Sequence, residues 1–456
     1  MPTCISKATM LALTGILVLI PLSLSQPPSS LSQVNCTAKL HFCKCINIGN
    51  ALEAPVEGQW GVYIRDEFLK IIREAGFEAV RIPIRWSSHA EKNPPYAIDE
   101  KFFQRVDHVI DKALEQGLYV IINVHHYEEI MQKPLDQKER FMAIWQQISA
   151  RYKDYPDRLI FELLNEPCNE LTADIWNQLM RETIDIIRIT NPTRKIVVGP
   201  VNWNSPYALQ QLQLPENDEN IIVTFHFYTP FEFTHQGAEW VSPSPRVGVK
   251  WYGTRLEQRE VTRELDIAAN WAEQYGGVPL LMGEFGAYSK ADMESRIRWT
   301  YLVAREAEKR GIAWCYWEFA AGFGIYDQFR GRWRTELLEA LFPGNRTMYL
   351  VTVDTQYGTA TGEGLYWIDT YARISINPTK VGPYVFDHFE GLKEEDRIVD
   401  PGTVEIYVNG PRTIKAVWRL DYIEAFLPFI IMGIIGILLI LASIVILSKK
   451  QIKKNI

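Results

Sequence analysis

The chain has 456 residues, of which 47% are hydrophobic, 12% aromatic and 23% charged, with a formal net charge of -7. That length suits one large domain with an appendage, and the apolar content supports a sizeable core, which excludes a disordered chain. The acidic balance offers no electrostatic footprint for nucleic acid, so no nucleic-acid partner is expected.

At the N-terminus, Lys7 precedes an apolar run from about Met10 to Leu24, and the polar, Pro-containing stretch Ser25 to Ser32 follows it. Residues 1–25 therefore read as a secretory signal peptide, with an uncleaved anchor as the alternative. Residues 26–45 form an N-terminal linker. Cys4 lies in the signal, so five cysteines remain in the mature chain, and an odd number cannot all pair internally. Cys36, Cys43 and Cys45 are clustered, and Cys36 can bridge to either neighbour. Cys168 and Cys315 sit beside candidate strand ends and read as buried thiols. The spacing matches no zinc site.

From residue 46 to residue 342 short apolar strands alternate with amphipathic helices, the pattern of a parallel sheet with helical crossovers. The expected strands are Ile46 to Gly49, Ala79 to Ile84, Tyr119 to Asn123, Ile160 to Leu164, Ile196 to Gly199, Ile222 to Phe227, Leu280 to Gly283 and Ile312 to Tyr316. Helical patterns such as Lys101 to Gln116 and Met293 to Arg310 lie between them, several ending in glycine. Eight β/α units in just under 300 residues fit an α/β fold of the (β/α)8 TIM-barrel type.

After Pro343 the texture changes to short alternating segments separated by Gly, Pro and Asn. Residues 347–420 are expected to form a small β-sandwich-like module, a spacer or a carbohydrate-binding module. Asn35-Cys36-Thr37 and Asn345-Arg346-Thr347 are glycosylation sequons. Residues 425–447 are uncharged and mainly apolar, long enough as a helix to span a bilayer core of about 30 Å. The lysines in residues 448–456 mark a cytoplasmic tail and place everything before residue 425 outside the cell, with the membrane as a partner through this helix.

The chemistry converges on two glutamates. Glu166, in Leu163-Leu164-Asn165-Glu166-Pro167, and Glu284, in Met282-Gly283-Glu284-Phe285-Gly286, each follow an apolar β-type run. Three β/α units separate them, so a closed eight-stranded barrel sets them across one mouth. Two carboxyls about 5 to 5.5 Å apart support double displacement at an acetal, one as nucleophile and the other as acid and then base. The acid needs a raised pKa while the nucleophile stays ionised.

The strings RIPIRW, IINVHHYEE, LLNEP, FHFYTPFEFTHQGAEW, GEFGAY and YWEFAAGFGIYD, in order from Arg81 to Asp327, carry a resemblance. The chain resembles glycoside hydrolase family 5, and within it hyperthermophilic endo-β-1,4-glucanases active on β-glucans and often mannans. The resemblance implies Glu166 as acid/base, Glu284 as nucleophile and Asn165 as a hydrogen-bond partner of the sugar 2-hydroxyl. It also implies Arg81 and Tyr228 as groups that hold the nucleophile, and His125, His126 and His226 as the lining of the sugar subsite. Trp317 would stack under the reacting sugar and Trp240 would wall a distal subsite. Asn47, Glu53 and Glu57 lie in a segment resembling the family's first loop and are expected near substrate. The family uses no metal or organic cofactor, and the implied partner is a polysaccharide, β-glucan or mannan. Mannanase or xyloglucanase action is the alternative within the family, and a non-catalytic surface glycan-binding protein is the alternative outside it.

Overall fold

The computed structural model describes residues 40–454. The expected signal peptide, most of the linker, Cys36 and the sequon at Asn35 lie outside the described residues. Eight strands close into a parallel barrel: β1 (Lys44–Asn47), β2 (Ala79–Ile82), β3 (Tyr119–Asn123), β4 (Leu159–Glu162), β5 (Ile196–Val198), β6 (Ile221–Phe227), β7 (Leu280–Phe285) and β8 (Ala313–Tyr316). Each strand pairs with the next, and β1 completes the ring against β8. All eight match expected strands, with ends shifted by no more than two residues.

The intervening helices form for local reasons. Helix Glu100–Glu115 buries Phe103, Val106, Val109, Ile110 and Ala113, a stripe at three- and four-residue spacing, and Asp99 caps it by accepting from the Phe102 N–H. Gly117, at φ 75°, takes the left-handed turn that releases the chain toward β3.

Side chains alternate along a strand, so every second residue faces the barrel interior. The lower interior layer is apolar: Ala79, Ile121, Ile160, Val197, Ile222, Leu281 and Ala313, together with Leu40 and Phe42 from the segment preceding β1. Two residues further along the same strands stand Asn47, Arg81, Asn123, Glu162 and Thr224, all buried and all polar. This polar layer is the floor on which the mouth is built.

Cys45 and Cys315 are disulfide-bonded, directly opposed in the β1–β8 register and 270 residues apart in sequence. Cys315 is thus not the plain buried thiol that its sequence context indicated, and Cys45 is not available to Cys36. Only ring closure makes the two cysteines neighbours, and no local pattern announces it. Cys168 is buried and has no disulfide partner among the described residues, and Cys43 is also disulfide-bonded.

A two-stranded hairpin, β9 (Tyr326–Asp327) and β10 (Arg332–Trp333), follows the barrel. The β-module then comprises β11 (Met348–Thr355), β12 (Thr359–Thr361), β13 (Gly364–Trp367), β14 (Thr370–Asn377), β15 (Lys380–Val381), β16 (Tyr384–Glu390), β17 (Arg397–Asp400), β18 (Thr403–Val408) and β19 (Arg412–Leu420). Sheets ordered β13-β11-β19-β16-β15 and β12-β14-β18-β17 share one core that includes Val351, Ile374, Phe386, Ile406 and Ile414. The alternating segments Tyr349 to Asp354, Leu365 to Asp369, Ala372 to Ile376 and Thr403 to Val408 point to four of these strands; β16 escapes the pattern because a register shift between Phe386 and His388 breaks the period.

The module is docked on the barrel. Met348 and Leu365 belong to the barrel's apolar core. The Leu365 N–H donates to the Tyr252 carbonyl at 2.8 Å, and Arg298 Nε donates to the Leu365 carbonyl at 3.0 Å.

The final helix runs Tyr422–Lys454, beginning before and ending after the expected span of residues 425–447. Its lysines extend it, since lysine is a good helix former. Among the described residues it is the one helix long and apolar enough to cross a membrane.

The seam disulfide cross-links a very long loop, so Cys45→Ser should destabilise the fold by roughly 2–5 kcal/mol. Thermal unfolding with and without reductant measures this. Reductant should lower the Tm of the wild type by more than that of the variant, which has only the Cys43 disulfide left to lose; an equal drop for both would contradict the constraint.

Candidate active site

Arg81 is the centre of the floor. It is fully buried, and each of its five N–H donors has an acceptor. Nε and Nη2 form a bidentate pair with Glu162 at 2.6 and 2.8 Å, and Nη1 donates to Asn47 Oδ1 and to Glu284 Oε1, both at 2.8 Å. Nη2 also donates to Asn165 Oδ1 at 2.8 Å. A guanidinium has no sixth donor to give. Arg81 therefore orients groups from β1, β4 and β7 together with Asn165 beyond β4. The attraction of Glu162 and Glu284 raises its pKa against the burial that would lower it.

Glu284 sits within β7, and its two carboxylate oxygens have different partners. Oε1 accepts from Arg81, and Oε2 accepts from the Tyr228 hydroxyl at 2.9 Å. Burial pushes its pKa up, while His226, Arg81 and the Tyr228 hydrogen bond pull it down. A cation and a donor both favour the carboxylate form.

Glu166 lies beyond the end of β4 and adopts a left-handed φ of 51°. Such a conformation is uncommon outside glycine and concentrates at functional sites. The side chain is 27% exposed, facing the cavity, and Oε1 lies 2.7 Å from His226 Nδ1. Desolvation raises its pKa to about 7, with Arg81 opposing and Glu162 adding to the rise. One oxygen of Glu166, one of Glu284 and a ring nitrogen of His226 lie within 4.8 Å of one another. That spacing would also admit a cation, but Arg81, Tyr228 and the His226–Glu166 contact already satisfy these groups.

Above the floor a cavity of about 750 Å³ opens, lined by His125, His126, Asn165, Glu166, Tyr228, Trp240, Glu284 and Trp317. Asn165 has its carbonyl oxygen held by Arg81, so it offers its NH₂ to the cavity. His125 is buried, and its pKa is well below the ordinary value, chiefly through desolvation. Asn123 Oδ1 accepts from the Ile84 N–H, which turns its NH₂ to His125 Nδ1 at 3.0 Å. That fixes the His125 proton on Nε2. The His125 ring lies parallel to Trp317 at 6.0 Å between centroids. Trp317 is half-buried and Trp240 is 59% exposed, packed edge-on to Tyr288.

Arg81 lies under the cavity and bonds Glu284, the role that the resemblance implies. Asn47, expected near substrate, also lies under the cavity rather than in its wall; it is fully buried and donates to the Gly283 carbonyl at 3.0 Å. Glu57 is tied to Arg105 at 2.8 Å and stands away from the lining. Glu53 does line the cavity, its carboxylate accepting from the Asn50 and Ala51 N–H groups, and burial raises its pKa to about 7. Glu162, Asn123, Asn50 and Trp60 were not singled out from the sequence. For Glu162 a signal existed: it stands two residues after Ile160 and so faces the interior with it.

Residues 47–322 match the family model described as cellulase (glycosyl hydrolase family 5). Endoglucanase H of Acetivibrio thermocellus is 36% identical over 314 residues, which is 66% of this chain and 33% of that protein. This chain spans about a third of the length of such curated relatives. A hyperthermophilic endo-β-1,4-glucanase of known structure superposes with a TM-score of 0.66 at 48% identity, covering 68% of this chain and 98% of that one. Cel5A of the hyperthermophile Thermotoga maritima does so with a TM-score of 0.64 at 54% identity, covering 65% of this chain and 96% of that one. The barrel, its match over residues 47–322 and these relatives lead to one conclusion: the chain belongs to the cellulase family, glycosyl hydrolase family 5.

Proposed function

We propose that the protein is a retaining endo-β-1,4-glucanase, with Glu284 as nucleophile and Glu166 as acid/base. The observation that carries this reading is the separation of the two carboxylates, with one oxygen of each within 4.8 Å. Inverting pairs stand about 6.5–9.5 Å apart to admit a water, whereas the shorter distance suits direct attack on the anomeric carbon.

In the first step protonated Glu166 gives its proton to the glycosidic oxygen as that bond breaks, and Glu284 forms a bond to the anomeric carbon. In the second step Glu166, now a carboxylate, takes a proton from water. The water oxygen bonds to the anomeric carbon, and Glu284 leaves. Asn165 offers its NH₂ to the sugar 2-hydroxyl, a contact that can tighten in the transition state. His125 offers its Nε2–H, Trp317 a stacking face for the reacting sugar, and Trp240 a wall further along the cleft. Mannan is a second substrate on this reading, because Cel5A of Thermotoga maritima, 53% identical, has been solved with mannotriose.

Glu166→Gln and Glu284→Gln should each lose hydrolysis of a soluble β-glucan while remaining folded. The Glu166 proton is needed in the first step and its pKa is about 7, so wild-type kcat/KM should fall as pH rises through about 7. Release of new reducing ends measures both. Near-normal turnover by either variant, or saturable glycan binding without new ends, would sink the assignment.

We further infer that the helix Tyr422–Lys454 anchors the protein in a membrane with the barrel outside the cell, the β-module acting as spacer. Its apolar side chains from Phe426 to Leu447 are exposed along its length, and such a surface needs a cover. Lys449, Lys450, Lys453 and Lys454 would lie on the cytoplasmic side. The protein should stay in membrane pellets through an alkaline wash and leave only with detergent; release by the wash would refute anchoring.

A further inference from the structure

His226 has a second partner that the mechanism above does not use. On one side of the ring Nδ1 meets Glu166 Oε1 at 2.7 Å, and on the other Nε2 meets Asn204 Nδ2 at 3.3 Å. Asn204 is fully buried, and its Oδ1 has no hydrogen-bond partner among the described residues. The amide is held tightly in place. A Cβ at Gly199 would fall 2.1 Å from Asn204 Oδ1, and a Cβ at Gly283 would fall 3.3 Å from His226 Nε2, so both glycines make room for this pair. Asn204 ends a run of three left-handed residues, Asn202, Trp203 and Asn204, with φ of 60°, 58° and 55°. The turn sets Trp203 on the rim, 55% exposed, and Asn204 beneath the histidine.

The ring must serve two states of Glu166. Burial lowers the His226 pKa to about 4, with Glu284 and Glu162 opposing and Arg81 assisting. His125 is the other titratable group coupled to the ring. A neutral imidazole carries one N–H. When Glu166 is protonated its O–H donates to Nδ1, the ring proton sits on Nε2, and Nε2–H needs an acceptor. When Glu166 is ionised Nδ1–H donates to it, and the bare Nε2 needs a donor. An asparagine amide supplies an acceptor in one orientation and a donor in the other, within the same volume.

We propose that Asn204 is a positioning residue that supports both tautomers of His226, so that the histidine can accept from Glu166 in the first half-reaction and donate to it in the second. This rests on the acid/base reading of Glu166. No bond is made or broken at Asn204; Nε2 gives its proton to cleft water and Nδ1 takes one from it, so the ring stays neutral, and the amide turns over to match.

The test uses the full chain in detergent, labelled with ¹⁵N only in histidine, with the His226 ring nitrogens followed from about pH 5 to about pH 9. The ring proton should move from Nε2 to Nδ1 as pH passes the Glu166 pKa near 7. Asn204→Asp keeps the shape and tolerates a left-handed φ, but as a carboxylate it only accepts. It should hold the proton on Nε2 throughout and raise the alkaline limb of kcat/KM by about one pH unit. A single wild-type tautomer across that range would overturn the proposal, as would a folded Asn204→Asp enzyme with an unshifted profile. Normal turnover by Glu166→Gln would remove the acid/base reading instead, and the wild-type spectra would still decide the role of Asn204.

Discussion

The site depends on one buried cation. Arg81 is enclosed by the barrel and has spent all five of its donors, two on Glu162 and one each on Asn47, Glu284 and Asn165. A lone buried charge is strongly unfavourable, and so is a buried carboxylate, which is why the two occur together. The geometry follows from the shape of the guanidinium. Its fork fixes Glu162 bidentately, which leaves Nη1 and Nη2 aimed at the strand ends, where Glu284 and Asn165 are held in position. A lysine in this place would offer a point charge without that direction.

This arrangement separates two carboxylates that would otherwise behave alike. Both Glu166 and Glu284 are raised by burial. Glu284 also receives a guanidinium and a phenol, while Glu166 faces a neutral histidine. The proton therefore belongs on Glu166. The apolar layer beneath, closed at the β1–β8 seam by Cys45–Cys315, holds the polar floor in register. Docking of the β-module against Tyr252 and Arg298 ties a second body to the same scaffold.

Much of this was legible in the sequence, and what was not has a physical reason. The eight strands were readable because buried parallel strands are continuous apolar runs. Glu166 and Glu284 stood out because a carboxylate right after such a run is conspicuous. Glu162 was passed over as part of the run, although the period of two pairs it with Ile160. Asn47 is expected near substrate from the likeness of its segment to the family's first loop, but it lies in β1, fully buried beneath the cavity. Asn204 and Asn123 act through other side chains, and no spacing along the chain marks that. The seam disulfide and most strands of the module are set by ring closure and sheet pairing, which are long-range, and by a bulge that breaks alternation.

The central claim is that Glu284, ionised by Arg81 and Tyr228, forms a covalent bond to the sugar. A cellobioside carrying fluorine at C2 and a good leaving group slows both steps, but the second more, and so traps that bond. Peptide mapping of the inactivated protein by mass spectrometry then locates it. The prediction is one glycosyl group per chain on the peptide containing Glu284, with hydrolysis of normal substrate giving the retained anomer. A label on Glu166, or no label together with an inverted product, would contradict the account.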